Sequence, residues 1–209
     1  MSVRPPSDDP EPAPPDSEYD PLGSPAADTE DLLRVQELFS EAARPFVSFP
    51  WSWLAWALVL PLAAILTGPV AATHGASGVL LLWSGAILVG GLVEGYGIRR
   101  GRGRHGRSSL GSWVLRVQGN LSLVALILSA AAVVADQATL LPGIWLLLLG
   151  HSFYVVGGLA FAPFRAYGLT WQLAGAVALW PGLVDPLLVL ASVAFFGNLW
   201  MAWKVWGSE

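Results

Sequence analysis

The chain has 209 residues, of which 54% are apolar and only 12% charged, and it has no cysteine. That balance is too greasy for a water-soluble domain, and the missing thiols exclude disulfides, thiolate metal sites and cysteine nucleophiles. The net charge of −4 hides two unlike parts: residues 1–49 hold three basic and eleven acidic side chains, a balance of −8, and residues 50–209 hold eight basic and four acidic, a balance of +4.

The opening MSVRPPSDDPEPAPP has no apolar run behind a basic start, so it predicts no cleavable secretory signal. Residues 1–27 are rich in Pro, Asp, Ser and Gly and almost free of aliphatic side chains. Such a stretch cannot bury enough surface to offset its ordering entropy and is expected to be a disordered acidic tail. Residues 28–48 predict a cytoplasmic amphipathic helix. Asp28 and Thr29 can cap it, Glu30 and Asp31 suit its first turn, and Leu32, Val35, Phe39, Ala42 and Phe46 form a stripe that leaves Glu37 and Glu41 aside. Pro45 and Pro50 end it. An acidic polar face disfavours anionic lipid, so a protein partner is the expected contact of this helix.

Six apolar segments follow, at residues 51–67, 78–98, 113–135, 141–162, 169–180 and 186–206. A helix crossing ~30 Å of hydrocarbon needs ~20 residues at 1.5 Å each. The first segment is slightly short and the fifth clearly so. The expected fold is therefore an all-α, polytopic transmembrane helical bundle of about six spans in a lipid bilayer, the alternative being five spans and a re-entrant piece. With six spans, Arg99, Arg100, Arg102, Arg104 and Arg107 share one loop, with Arg116, Arg165 and Lys204 on the same side. The opposite loops, around His74, Asp136 and Asp185, contain no Lys or Arg. This asymmetry places both termini in the cytoplasm. Trp51, Trp53, Trp113, Trp171, Trp203 and Trp206 then mark the inner interface, and Trp145 and Trp180 the outer.

The even-numbered segments read alike: GAILVGGL from Gly85, SFYVVGGL from Ser152 and SVAFFGNL from Ser192. Three related helical hairpins, each with one small-residue face, would give this pattern. Glycine-rich apolar composition would also give it by chance.

Glu94 is the one carboxylate within a span, about 7 Å from the end of the second segment at 1.5 Å per residue. Arg116 is expected at similar depth on the third, and the two are expected to pair. The pair reads either as a clamp between helices or as a relay for an ion or substrate. Asn120, His151, Tyr154, Gln172 and Asn198 are further polar groups within spans, with His151 and Tyr154 on one helix face. They either line a polar cavity or hydrogen-bond between helices. Residues 99–107 (RRGRGRHGR) read as a topogenic loop or as an attractor of anionic lipid or nucleic acid; no specific nucleic acid is expected. No HExxH, GxSxG, Walker A or paired-carboxylate arrangement occurs, and the histidines are scattered, so no catalytic residue, metal site or cofactor is expected.

The run DLLRVQELFSEAARPFVSFPWSWLAWALVL at residues 31–60 resembles the opening of uncharacterised six-helix bacterial inner-membrane proteins, and VVGGLAFAPFRAYGL at residues 155–169 adds to the likeness. Together they cover about a fifth of the chain. The resemblance implies a bacterial inner membrane and a sensory or regulatory role, and it transfers no site residues. Small substrate-capturing subunits of vitamin transporters share the size and span number but not the motifs. Two functions therefore stand: a non-enzymatic sensing module or assembly subunit that engages a partner through residues 28–48, and a small transporter or ligand-capturing subunit with a polar intramembrane cavity.

Overall fold

The computed structural model describes residues 33–35, 37, 49–105, 109–159, 162–180 and 182–207, apart from the side chains of 101–115 and 159. The expected tail at 1–27 lies outside these residues. Of the expected helix at 28–48, Leu33, Arg34, Val35 and Glu37 are described, and they are helical and exposed.

All regular structure among the described residues is helical: α1 (Pro50–His105), α2 (Ser109–Val134), a 3-10 turn (Ala138–Leu140), α3 (Leu141–Leu159), α4 (Pro163–Ala178) and α5 (Pro186–Trp206). The first helix is two arms in one. Gly75 breaks it at φ 64°, ψ −158°, a region that only glycine occupies readily. The arms fold back as an antiparallel hairpin. Near the reversal, the Trp83 indole N–H donates to Thr67 Oγ1 at 3.1 Å. Further along, the Trp56 indole donates to Glu94 Oε2 at 3.2 Å, and at the open end the rings of Phe49 and Tyr96 meet edge-on at 6.0 Å.

Two further reversals repeat this backbone device. Asp136 (φ 57°) turns α2 into α3 and Gly182 (φ 75°) turns α4 into α5; with Gly75 they are the three positive-φ residues among those described. Asp185 then caps α5, accepting from the Leu187 backbone N–H at 2.8 Å, with Pro186 in the first turn, where its missing N–H costs nothing. The second hairpin copies the polar link of the first: Trp145 Nε1 donates to Ser129 Oγ at 3.0 Å. In each case the donor lies 16 residues after a hydroxyl that itself bonds the carbonyl four residues back, Thr67 to Ala63 and Ser129 to Ala125.

Among the described residues, α3 and α4 meet backbone to backbone along a seam. Gly143, Gly150 and Gly157 on α3 and Gly168 and Gly175 on α4 recur every seven residues, which keeps them on one face of each helix. A Cβ at Gly150 would lie 2.7 Å from the Gln172 backbone nitrogen and 2.8 Å from the Gly168 carbonyl oxygen; one at Gly175 would lie 2.8 Å from the Leu147 nitrogen and 3.0 Å from the Gly143 oxygen. The two backbones touch because no side chain stands between them. Over the half of this seam nearer the α3–α4 connection lies an aromatic cluster, with Trp53 of α1 against Phe164 and Tyr167 of α4 (5.6 and 5.7 Å) and Phe153 of α3 (6.3 Å). Helix α5 closes the core with Leu190, Ala194, Met201, Ala202 and Val205, all buried, and the rings of Trp51 and Trp206 meet at a tilt, 5.8 Å apart, where α1 begins and α5 ends.

The chain is a membrane-embedded helical protein: among the described residues four helical segments, Pro50–Arg100, Arg116–Val134, Ala138–Gly158 and Pro186–Trp206, are long and apolar enough to cross a bilayer. Six segments were expected. The count falls because the two arms of α1 meet at the Gly75 kink with helix on either side of it, leaving no long loop between the first two expected segments, and because α4 has only 16 residues. Boundaries move as well. Helix α2 begins at Ser109 and α4 at Pro163, four and six residues before the apolar runs that predicted them. The backbone of Arg99, Arg100, Arg102 and Arg104 is helical rather than looped, since arginine is a good helix former and polarity alone does not stop a helix. Arg107 lies outside the described residues.

Two expectations follow for the purified protein in detergent. Gly75→Ala should lower stability by about 1–3 kcal/mol, the usual cost of a side chain in that backbone region, read as a lower melting temperature. Gly168→Ala should cost about 1–3 kcal/mol through overpacking, because its Cβ would meet the Tyr154 backbone. Gly119→Ala is the control: its Cβ meets nothing within 4 Å, and stability should hold.

Candidate functional site

The polar side chains expected within spans separate into three places. The first is a recess of about 400 Å³ between α2 and α3. Arg116, Val117, Asn120 and Leu121 form one wall, two turns of a single face of α2, and His151, Ser152 and Val155 form the other. The floor is tied by the Ser152 hydroxyl, which donates to the Gln118 amide oxygen. Arg116 lies one turn inside the apolar run that begins at Trp113, and its long side chain can carry the guanidinium to the hydrocarbon boundary. Asn120 lies one turn deeper, about 6 Å at 1.5 Å per residue. Arg116, Asn120 and His151 are all exposed, facing the medium around the protein rather than its core.

The second place is Glu94. It does not pair with Arg116: the second arm of α1 packs on the first arm and makes almost no contact with α2, so the two helices that were to carry the pair do not lie side by side. The carboxylate instead takes the Trp56 indole N–H, on the exposed flank of the hairpin.

The third is buried. Tyr167 Oη donates to Asn198 Oδ1 at 2.7 Å, and Asn198 Nδ2 donates to the Ala194 carbonyl at 2.7 Å. This fastens α4 to α5 in the aromatic cluster, where Gly197 leaves room for the Tyr167 ring, 3.0 Å from its absent Cβ. The Trp53 indole N–H, buried in the same cluster, has no hydrogen-bond partner among the described residues. Of the remaining expected residues, Tyr154 is 44% exposed, one turn from His151 on α3, and Gln172 is half-buried on α4, its backbone nitrogen against Gly150. Neither joins the recess.

The structure thus gathers Arg116, Asn120 and His151, leaves Glu94 on another helix pair and puts Asn198 into the core. Gln118, Ser152, Trp56 and Tyr167, the partners that define these places, were not singled out from the sequence. A donor and a hydroxyl spaced for antiparallel neighbours was the available signal, and it becomes readable only once the reversal points are known. Among the described residues no group of three or more His, Asp or Glu side chains is assembled.

The buried pair generates a double-mutant expectation. Tyr167→Phe should destabilise by about 1–3 kcal/mol, since it leaves a buried amide oxygen without its donor. Combining it with Asn198→Leu should cost less than the sum of the two single changes, because apolar replacement of both partners removes the unmet polar group. Additive losses in detergent melting curves would contradict the contact.

No protein-family model, no curated protein and no solved structure matches the chain.

Proposed function

We propose that the chain is a non-enzymatic membrane module, a subunit of a larger membrane assembly that holds its intramembrane partner through the second arm of α1. The observation that carries this reading is Glu94, a carboxylate inside an apolar segment, exposed on the flank of a hairpin with a single indole donor. A charge facing hydrocarbon costs roughly 2.5–3.5 kcal/mol on insertion scales, and a donor on a neighbouring helix removes that cost. The adjoining face is shaped to admit one. Ser84, Leu88, Gly91 and Gly95 fall on one stripe at helical spacing, and a Cβ at Gly91 or Gly95 would meet nothing within 4 Å. The spacing Gly91-x-x-x-Gly95 lets two helix backbones approach closely. The fitting partner is a membrane helix with small residues and a Lys, Arg or other N–H donor at the depth of Glu94.

The same reading counts each arm of α1 and the short α4 as crossings, giving six spans in three hairpins with both ends cytoplasmic, in a bacterial inner membrane. Several features support it. Arg99, Arg100 and Lys204 lie at the end of the bundle away from Gly75, Asp136 and Gly182, and Lys204 sits over the Trp203 ring at 4.9 Å, as an interfacial cation does. Gly90, Gly157 and Gly197, the matching glycines of the repeated pattern, each receive an aromatic neighbour: Trp56, Phe164 and Tyr167. Residues 28–48 serve as the contact for a cytoplasmic partner.

A photo-crosslinking residue at Leu88 in native membranes tests the proposal. A discrete polypeptide adduct is expected, reduced several-fold by Glu94→Gln and abolished by Gly91→Leu. An adduct of twice the chain mass would make the partner a second copy. Lipid adducts alone would remove the docking face.

A further inference from the structure

We infer that the recess between α2 and α3 binds an anionic glycerophospholipid, with its phosphate on Arg116 and its glycerol-ester region on Asn120 and His151. The site is separate from the Glu94 face and does not depend on the assembly proposed above.

Three observations converge on this ligand class. The first is charge at a definite depth. Arg116 lies one helical turn inside the apolar run that begins at Trp113, a depth from which a long arginine side chain reaches the level of lipid phosphates, and among the described residues no carboxylate meets it. A guanidinium remains charged at all relevant pH and engages phosphate through two parallel N–H donors. Basic pockets between transmembrane helices bind acidic headgroups on this principle.

The second is the polar pair below it. Asn120 sits one turn inward, and His151 faces it across the recess. Neither makes a side-chain hydrogen bond among the described residues, yet both are exposed within an apolar span. Their N–H groups are donors without acceptors in hydrocarbon, an unfavourable state unless a ligand supplies oxygen. An ester carbonyl lies about one helix turn below a phosphate in a glycerophospholipid, which matches the vertical step from Arg116 to Asn120. Ser152 does not compete for this role, because its hydroxyl is spent on Gln118.

The third is the apolar wall. Val117, Leu121 and Val155 line the remaining surface, and Leu123, Val124, Ile127 and Leu128 continue α2 as exposed apolar side chains toward the bilayer centre. A headgroup fixed at Arg116 therefore has an acyl path along α2. A free phosphate would leave this wall and the lower donors unused.

The experiment is native mass spectrometry of the full chain in a neutral detergent, titrated in parallel with phosphatidylglycerol, phosphatidylcholine and inorganic phosphate. One phosphatidylglycerol should be retained per chain, at least ten-fold more tightly than phosphatidylcholine, with no adduct from inorganic phosphate. Arg116→Gln should weaken that binding about ten- to a hundred-fold, the loss expected for a charge-assisted hydrogen bond. Leu121→Trp, which fills the recess and keeps every polar group, should abolish it with the melting temperature unchanged, and it decides the matter if the arginine variant does not fold. Equal retention of the two lipids would reduce the site to ordinary annular contact, inorganic phosphate binding as tightly would show that the acyl wall plays no part, and a Leu121→Trp chain that binds normally would place the lipid elsewhere. Each of these three results overturns the inference.

Discussion

Two helix backbones in direct contact set the geometry of this protein. Along α3 and α4, glycines seven residues apart let carbonyl oxygens and amide nitrogens of one helix fill the space where the other would carry side chains. Inside a bilayer there is little hydrophobic drive to bring helices together, because lipid tails are as apolar as leucine; close packing and polar contacts must supply the attraction. A seven-residue repeat also sets the crossing to a shallow angle, since a spacing of 3.5 residues per turn keeps the same stripe in contact along the whole length. Everything placed on these two helices is consequently held to a fixed distance and depth.

The aromatic cluster depends on that seam. With α3 and α4 nearly touching, Phe153, Phe164, Tyr167 and Trp171 are squeezed onto one side, where Trp53 of α1 packs against them and Asn198 of α5 reaches the Tyr167 hydroxyl. Rings bring large contact area with few rotatable bonds, so one cluster unites four helices. The peripheral elements are attached differently. The second arm of α1 and the tip of α2 are joined to their neighbours by indole N–H to hydroxyl bonds, Trp83 to Thr67 and Trp145 to Ser129. Such links fix register yet leave most of the helix surface to lipid; only 11% of the apolar stretch of α2 is buried, against 33% for α3 and for α5.

That division between a tight core and loosely held flanks explains where the unsatisfied polar chemistry lies. In the core Asn198 is bonded on both sides, and the buried polar side-chain atoms left without a partner among the described residues are the neutral indole N–H groups of Trp53 and Trp171. Glu94, Arg116, Asn120 and His151 all sit on the flanks, on helices with a free side. A charge in such a position is expensive unless something outside the chain meets it, and the two flanks carry opposite charges. The Glu94 flank calls for a donor on a helix, and the Arg116 flank for an anion that lies at the membrane boundary.

Membrane residence and a helical architecture for residues 50–206 were legible in the sequence, because the length and apolar character of a span are properties of a contiguous segment. The apolar run at 186–206 coincides with the helix Pro186–Trp206, and the structure adds the cap that starts it, Asp185. The reversal points were also legible: Gly75, Asp136 and Gly182 fall in the loops that carry no Lys or Arg. Which polar groups meet was not legible. Glu94 and Arg116 look like partners on any reading by depth, since depth follows from residue number. Whether two helices lie side by side follows instead from which faces interlock, and only the tertiary structure decided that. It placed α4 and α5 over α3 and the first arm of α1, and left the second arm and α2 apart. The same is true of the glycine seam: its seven-residue spacing stands in the sequence, but a glycine open to lipid, such as Gly91, and one filled by a neighbouring backbone, such as Gly150, are the same letter until the helices are packed.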